Sequence, residues 1–385
     1  MDFSHSEHEL RWQTIARDFA QHEVSPIARE MDELGAMPLS IVSRMAELGL
    51  LGSIIPIELG GSGMTSVALA MVYEELGRAC SSVRGFMTVH SSLVMQCINQ
   101  WGNDEQKNTY LPLLASGKSI GCYCLTEPEA GSDAANIQTT ATPVDGGYEL
   151  SGEKIWITNA NIASIAIVFA KLPTLDNEKP HAAITAFLID TATKGFNRKK
   201  MPGKELGHRA SDHAHITLDK CFVSSENVLG GERQGFKVAM SALDHGRLGV
   251  AAGALGVHQA CLDATVSFVR SRKQFGSRIG DFEMIQASVA EMKASLEASR
   301  YLVYLAAWKK DTGESSSLEA SIAKFHATEA ALKAASEAVL IHGGRGYSNE
   351  YPVERYYRDI KGLQIYEGTS HIQRIVIARH VIGKP

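Results

Sequence analysis

One carboxylate near the C-terminus could act as a catalytic base. Glu367 stands in the stretch Gln-Ile-Tyr-Glu-Gly-Thr-Ser at residues 364–370, between apolar neighbours and a Gly-Thr-Ser turn. A carboxylate in partly desolvated surroundings has a raised pKa, which makes it a better acceptor for the proton of a weak carbon acid near neutral pH. An acidic residue in a turn is also typical of a solvated loop or a helix N-cap, so other residues must support this interpretation.

Four separated segments supply that support. They are CLTEPEAGSD at 124–133, WITN at 156–159, RKQFG at 272–276 and YEGT at 366–369. In this order, and over most of the chain, they resemble the acyl-CoA dehydrogenases. The resemblance implies an FAD-dependent enzyme that converts an acyl-CoA to its α,β-enoyl thioester, with Glu367 removing the α proton.

The resemblance also implies where FAD would lie. Thr126 follows a predicted strand, where its hydroxyl and nearby N–H groups could donate to the flavin pyrimidine carbonyls. Trp156 and Thr158 stand two apart on another predicted strand and so point to one face, with the Trp against the flavin. Without the resemblance, the same residues would suit a tight turn and a core tryptophan. The implied FAD residues are Tyr123, Leu125, Thr126, Gly131, Ser132, Trp156, Thr158, Arg272, Gln274, Phe275, Gln286, Gly343, Gly344 and Thr369.

The segment at 272–276 resembles one that reaches the FAD of a neighbouring subunit. The resemblance therefore implies an oligomer, specifically a homotetramer. Taken alone, Arg272 and Lys273 would be an ordinary solvated helix end. The chain departs from the family pattern at Leu340, where many relatives have Gln, and at His371, where many have Gln or Glu.

Residues for the acyl-CoA substrate follow from the same resemblance. Ser132 and Tyr366 match positions along the thioester and pantetheine channel, and Asp244 and Arg247 belong to a helix beside it. Some relatives carry their base at the position of Gly246, which here has no side chain. The implied substrate residues are Arg84, Ser132, Asp244, Arg247, Tyr366 and Gly368.

Arg84 narrows the predicted substrate. The segment SVRGFMTVHSSLVM at 82–95 resembles the glutaryl-CoA dehydrogenase branch, whose Arg at this place meets the distal carboxylate of the acyl chain. Guanidinium and carboxylate match geometrically, so we expect an acyl chain with a second carboxylate. A structural salt bridge is the alternative role for this Arg. A desulfinase of this fold also uses the Arg but lacks the Glu base, so Glu367 favours dehydrogenation.

Other functions stay open from the sequence. The substrate could be a short-chain monocarboxylic acyl-CoA, or a thioester on an acyl carrier protein, because both thioesters share phosphopantetheine. A flavin-free scaffold is a third alternative. Electron-transfer flavoprotein is the electron acceptor that the resemblance implies.

Composition excludes several classes of protein. The 385 residues, 44% hydrophobic and 21% charged, predict a globular protein of two or three domains. A net charge of -5 and a pI near 6.3 disfavour nucleic-acid binding, which needs a basic surface. The six cysteines lack the spacing of zinc ligands and predict reduced thiols in a cytoplasmic protein without a metal. The start of the chain, at 1–10, is polar and acidic, unlike a secretory or mitochondrial peptide, and no segment predicts a membrane span.

The hydrophobic period changes twice along the chain. It is helical to about residue 114, with a helix expected to end before Gly52 and a glycine-rich turn at 56–64. It predicts strands at 148–152, 164–170 and 216–218, and then helical structure from 235 onward, with long periodic runs at 249–270, 282–310 and 317–342. No Gly-x-Gly-x-x-Gly opens on a strand, which disfavours a nicotinamide enzyme. We therefore predict an α+β, mostly α protein with domains at 1–118, 119–230 and 231–385; the resemblance implies an N-terminal helical domain, a β-barrel-like middle and a C-terminal four-helix bundle.

Overall fold

The first part of the chain is helical. The computed structural model describes residues 4–383. The π-helical turns Ala20–Val24 and Thr88–Met95 extend α1 and join α5 to α6. The helices are α1 Glu7–Phe19, α2 Ala28–Leu34, α3 Leu39–Glu47, α4 Ser66–Ala79, α5 Ser81–Met87, α6 Gln96–Trp101 and α7 Asp104–Ala115.

Local signals explain where these helices begin and end. Ser6 and Glu9 form a capping box that starts α1. The expectation that a helix continues to Gly52 is wrong, because α3 ends at Glu47. Gly49 follows with a φ of 74°, a left-handed conformation that stops the helix, although the next two leucines remain buried.

The middle of the chain forms an eight-stranded sheet among the described residues. Its strand order is β6-β7-β3-β2-β4-β5-β8, and β1 joins it by pairing in parallel with β4. An Asp-Gly turn at 145–146 joins β2 to β3, as the sequence predicts. The strands are β1 Gly121–Cys124, β2 Thr140–Val144, β3 Gly147–Thr158, β4 Ile165–Lys171, β5 Ile184–Asp190, β6 Phe196–Lys200, β7 His213–Ser224 and β8 Val228–Leu229.

Strand β3 is not regular throughout. Its register against β7 shifts between Lys154 and Ile157, and Trp156 within this bulge has a φ of 58°. Such a conformation is costly for a bulky residue, and bulges often re-aim a side chain. Lys154 and Ile157 are buried, whereas Trp156 is 51% exposed and Thr158 is half-buried. The bulge therefore leaves Trp156 and Thr158 on the more open side of the strand.

The last part of the chain is helical again, so the predicted helix, sheet, helix order is confirmed. Helix α8 begins at Gly235, where the sequence predicts the return to helical structure, and α10 has the predicted bounds of 317–342. A short hairpin separates α8 from α9. The elements are α8 Gly235–Ser271, β9 Lys273–Gln274, β10 Ser277–Arg278, α9 Glu283–Asp311, α10 Ser317–His342, α11 Val353–Ile365 and α12 Ser370–Ile382.

Glycines let α4 and α8 approach closely. A Cβ atom added to Gly256 would lie 2.1 Å from the carbonyl oxygen of Glu74, and one added to Gly77 would lie 2.6 Å from that of Gly253. Neither helix could hold its position with larger residues there. Their contact lies in the largest hydrophobic core, which also includes α1, α10 and α11.

The described residues contain neither a candidate membrane span nor a cluster of metal ligands. Among residues 4–383, no helix is both long and apolar enough to cross a membrane. Nowhere in that range do three His, Cys, Asp or Glu side chains meet as a metal ion would need. All six cysteines are buried free thiols.

Candidate active site

Glu367 lies in the short connection between α11 and α12. Its φ is 56° and that of Gly368 is 90°, so two successive residues have left-handed conformations. For a glutamate this conformation is strained and needs support from its surroundings. Lys324 on α10 donates to the carbonyl oxygens of Gly368 at 2.7 Å and Gln364 at 3.2 Å. The Gln373 side chain donates to the Gly368 carbonyl at 2.8 Å, so both sides of the connection are held.

Glu367 is partly exposed, but its Oε2 is inaccessible to solvent and has no hydrogen-bond partner among residues 4–383. Burial raises the pKa of Glu367 to about 7, against the opposing effects of Arg84, Lys324 and Arg247. A Cβ atom on Gly246 would lie 1.7 Å from this Oε2. The carboxylate therefore occupies space that exists only because α8 has a glycine there. A carboxylate in this state suits proton abstraction near neutral pH.

Arg84 lies fully buried in α5. It donates from Nη1 to the Thr88 hydroxyl at 3.3 Å and from Nη2 to the Tyr366 hydroxyl at 2.5 Å. Its Nε has no partner, and among residues 4–383 no carboxylate oxygen comes within 4.0 Å of the guanidinium. A Cβ atom on Gly253 would lie 2.6 Å from Nε, so a second glycine of α8 makes room for this side chain. Arg84 is thus a buried cation without an ion pair.

A buried ion pair fixes the turn that holds Thr126. Lys154 Nζ lies 2.7 Å from Glu127 Oε1 and 3.2 Å from the carbonyl oxygen of Leu125. The Ile155 N–H donates to the Thr126 carbonyl at 3.0 Å. The sequence motifs did not indicate the structural role of Lys154 and Glu127. The available signal was Lys154, a charged residue at an inward-facing position of strand β3.

Thr126, Trp156 and Thr158 fit a flat, partly polar ring system such as the flavin of FAD. Trp156 offers a large exposed aromatic surface, held by a strained backbone, next to the half-buried Thr158. Thr126 is held in place by the turn, and Gly131 and Ser132 are exposed in the bend that follows. A Cβ atom on Gly131 would meet nothing within 4 Å, so the surface is open there.

A second group of predicted FAD residues lies far from Glu367 within the chain. Gln274 pairs with Ser277 across the β9–β10 hairpin, and Phe275 at its tip is 96% exposed. Helix α8 connects Gly246 to Arg272, and 26 residues of helix extend roughly 39 Å. One subunit therefore does not bring these residues to its own Glu367. The rest of this group are exposed as well: Gln286, Gly343 and Gly344.

The predicted substrate residues of α8 do meet. Arg247 is buried and donates to Asp244 at 2.8 Å, and the hydroxyl of Ser317 lies 3.2 Å from the same carboxylate. Tyr123 on β1 donates to the Ala239 carbonyl at 3.4 Å and so ties the sheet to α8. Burial raises the pKa of Tyr123 well above its usual value, with smaller effects from Cys97 and Glu367. Thr369 caps α12 through the Ile372 N–H, so its hydroxyl already has a structural role.

Comparison with known proteins defines the class. The sequence profiles of the acyl-CoA dehydrogenase N-terminal, middle and C-terminal domains match residues 6–118, 122–221 and 233–382. The chain therefore belongs to the acyl-CoA dehydrogenase family of FAD-dependent oxidoreductases, which confirms the predicted family, fold and cofactor.

Individual relatives share the whole length of the chain. It is 41% identical over 375 residues to the mitochondrial short-chain specific acyl-CoA dehydrogenase of Rattus norvegicus, covering 97% of this chain and 90% of that protein. The structure resembles butyryl-CoA dehydrogenase from Megasphaera elsdenii, with a TM-score of 0.96, 38% identity and coverage of 99% and 100%. It also resembles glutaryl-CoA dehydrogenase in complex with glutaryl-CoA, with a TM-score of 0.94, 36% identity and coverage of 100% and 97%.

Proposed function

We propose that this acyl-CoA dehydrogenase oxidises thioesters whose acyl chain carries a second carboxylate, as in glutaryl-CoA or a substituted succinyl-CoA. The observation that carries the proposal is Arg84, which is fully buried beside the proposed base and has no carboxylate partner in the described part of the chain. A buried cation left without an anion is costly, and a bound carboxylate would remove that cost. Guanidinium is also the group best suited to bind a carboxylate through paired donors.

Glu367 is the proposed catalytic base. Its unpartnered Oε2 would take the proton from the α carbon, and its pKa of about 7 makes it a stronger acceptor than an ordinary carboxylate. Its backbone N–H would donate to the thioester carbonyl and so acidify that carbon. FAD, when bound, would accept the hydride from the β carbon, which leaves the α,β-enoyl thioester. We propose that Thr126, Trp156 and Thr158 hold the flavin ring.

A short-chain monocarboxylic substrate is the second candidate. Two of the compared proteins, the short-chain specific enzyme of Rattus norvegicus and butyryl-CoA dehydrogenase, are as similar to this chain as glutaryl-CoA dehydrogenase is. In that case, Arg84 would support the pocket through Tyr366 and Thr88 alone. A thioester carried on an acyl carrier protein is compatible with the same reacting end.

We also propose a homotetramer with electron-transfer flavoprotein as electron acceptor, in the cytoplasm. The hairpin supports the oligomer, because Phe275 is almost fully exposed and Arg272 lies roughly 39 Å along α8 from Gly246. In a second subunit the same hairpin could complete an FAD site. Light scattering on the FAD-loaded protein tests this, and a fully loaded monomer would contradict it.

The Arg84→Gln variant tests the substrate. Its catalytic efficiency on glutaryl-CoA should fall by about tenfold to a hundredfold, because a charge-assisted contact is worth about 1.5 to 3 kcal/mol. Butyryl-CoA oxidation should change little. Arg84→Lys should recover only part of the loss, because an ammonium lacks the paired donors. Arg11→Gln, at an exposed arginine of α1, is the control and should behave as the wild type.

Equal losses on both thioesters would contradict the proposal. Arg84 would then support the fold or the cofactor, and the monocarboxylic candidate would replace the dicarboxylic one. FAD content, read from the flavin band, separates a lost cofactor from a lost substrate contact.

A further inference from the structure

Besides Arg84, a second side chain contacts the Tyr366 hydroxyl. His208, in the connection from β6 to β7, places its Nε2 3.3 Å from the Tyr366 hydroxyl. The two rings meet edge to face, with centroids 5.5 Å apart and planes at 77°. His208 is only 6% exposed, and its φ is 52°. Histidine is one of the few residues other than glycine that accept this backbone conformation, so the position is specialised.

A glycine of α11 leaves room for the imidazole. A Cβ atom on Gly362 would lie 2.8 Å from His208 Cδ2, whereas one on Gly85 in α5 would lie 3.9 Å from Nδ1, which is an ordinary contact. The backbone N–H of His208 donates to Asp359 Oδ1 at 2.7 Å, which anchors the connection to α11. The ring is therefore held between α5 and α11, the helices that carry Arg84 and lead to Tyr366.

The hydrogen bonds assign the proton on this ring. His208 Nε2 lies 3.0 Å from the carbonyl oxygen of Asp359, and a carbonyl oxygen can only accept, so Nε2 carries the hydrogen. The one hydrogen of Nε2 is then shared between the Asp359 carbonyl oxygen and Tyr366 Oη in a three-centre bond, and Oη also accepts from Arg84 Nη2–H. Within residues 4–383, no acceptor is bonded to the phenolic hydrogen itself. That hydrogen is left to donate to a group outside the protein.

Burial and the neighbouring charges keep the His208 imidazole neutral. Burial, followed by Arg84 and His213, lowers the pKa of His208 well below its usual value. The Asp359 carboxylate faces its backbone N–H, and Tyr366 is the remaining titratable neighbour. A neutral Nε2–H group keeps the same orientation of Tyr366 across the working pH range.

We propose that His208 is a positioning residue of the distal carboxylate site. It turns the Tyr366 hydroxyl so that the phenolic hydrogen and Arg84 Nε donate together to the second carboxylate of the acyl chain. This inference rests on the proposed dicarboxylic substrate and adds the groups that select it. An acyl chain without that carboxylate gains nothing from the arrangement.

Two substitutions of His208 test the role. Asparagine accepts a positive φ but is too short to reach Tyr366, so His208→Asn removes the contact and keeps the backbone. Its KM for glutaryl-CoA should rise about tenfold with little change in kcat, the size expected for one charge-assisted hydrogen bond. KM for butyryl-CoA should stay within about twofold. His208→Gln should restore most of the affinity, because its side-chain N–H reaches about as far as Nε2.

The Tyr366→Phe background shows whether His208 acts through the hydroxyl. In that variant His208→Asn should cause no further loss on glutaryl-CoA. Equal losses on both thioesters, no recovery with Gln, or additive losses with Phe would each overturn the inference. If Arg84→Gln is selective for glutaryl-CoA and His208→Asn is not, only this inference fails. If Arg84→Gln is also unselective, the proposed function fails and the inference falls with it.

Discussion

The protein buries two cations, Lys154 and Arg84, in opposite surroundings. Lys154 has the Glu127 carboxylate at 2.7 Å and the Leu125 carbonyl at 3.2 Å. Within residues 4–383, Arg84 donates only to the hydroxyls of Thr88 and Tyr366, and its Nε has no partner. Both side chains are fully inaccessible to solvent. Burial is therefore shared, and pairing is what differs.

The two neighbouring carboxylates show the same contrast. Burial opposes ionisation of Glu127, yet Lys154 and the Gln138 N–H hold its pKa below its usual value. Glu367 has Oε2 unpartnered, and burial raises its pKa to about 7. Lys154 and Glu127 satisfy each other's charge and so fix the position of a turn. Glu367 and Arg84 each keep an unpartnered atom, which could accept a proton and bind an anion respectively.

Removing the proposed base should give the largest effect. Glu367→Gln keeps the volume and should leave a folded, yellow protein that still binds thioester. Flavin reduction should slow by about 10²- to 10⁴-fold, the usual contribution of a positioned base. Anaerobic stopped-flow at the flavin band measures this rate. Bleaching at the wild-type rate would show that Glu367 is not the base.

Breaking the Lys154–Glu127 pair should instead reduce stability. Lys154→Met leaves the Glu127 carboxylate buried without its cation, which should cost about 3 to 5 kcal/mol of unfolding free energy. Chemical denaturation of the FAD-loaded protein measures the change. Lys293→Met, which removes an exposed pair with Glu297, is the control and should cost less than about 1 kcal/mol. Equal denaturation midpoints for the two variants would contradict the assigned role of the buried pair.

The space over Gly246 should matter for rate more than for folding. The methyl group of Gly246→Ala would overlap Glu367 Oε2, and displacing a reacting group by about 1 Å can cost about 10²-fold. Gly85→Ala is the matched control, because its methyl group would meet no atom closer than 3.9 Å. Single-turnover flavin reduction compares the two. An unchanged rate in Gly246→Ala would place the working carboxylate elsewhere.

The pH dependence should give the smallest effect. Glu367 can accept a proton only when ionised, so flavin reduction should rise with pH through about 7. About an order of magnitude should separate pH 6 from pH 8. The rate of flavin reduction at saturating thioester, measured across this range, checks the sign. A rate that is flat, or that falls with rising pH, would contradict a base with a raised pKa.

Short-range patterns predicted much of this structure. The periodicity of 317–342 matches α10 residue for residue, and the Asp-Gly turn predicted the hairpin before Tyr148. The close approach of α8 to α4 depends on glycines of both helices, and local propensity does not register such a contact. The bulge at Trp156 likewise depends on pairing with β7.

The residues of the candidate site also differ in whether a local sequence pattern could indicate them. Thr126, Trp156 and Glu367 could be proposed from the sequence because each stands in a recognisable motif. The contact of Arg84 with Tyr366 spans 282 residues, and that of His208 spans 158, so no local pattern indicates either. The unpaired state of Arg84 is a property of its three-dimensional surroundings.

The substrate selectivity of the unaltered protein tests directly whether Arg84 binds a distal carboxylate. FAD-loaded protein is mixed anaerobically with glutaryl-CoA or with pentanoyl-CoA, which has the same number of acyl carbons and no distal carboxylate. We expect the second-order rate of flavin bleaching to be at least about tenfold greater with glutaryl-CoA, because only that chain has a carboxylate that could pair with Arg84. Bleaching by pentanoyl-CoA that is as fast or faster would contradict the account.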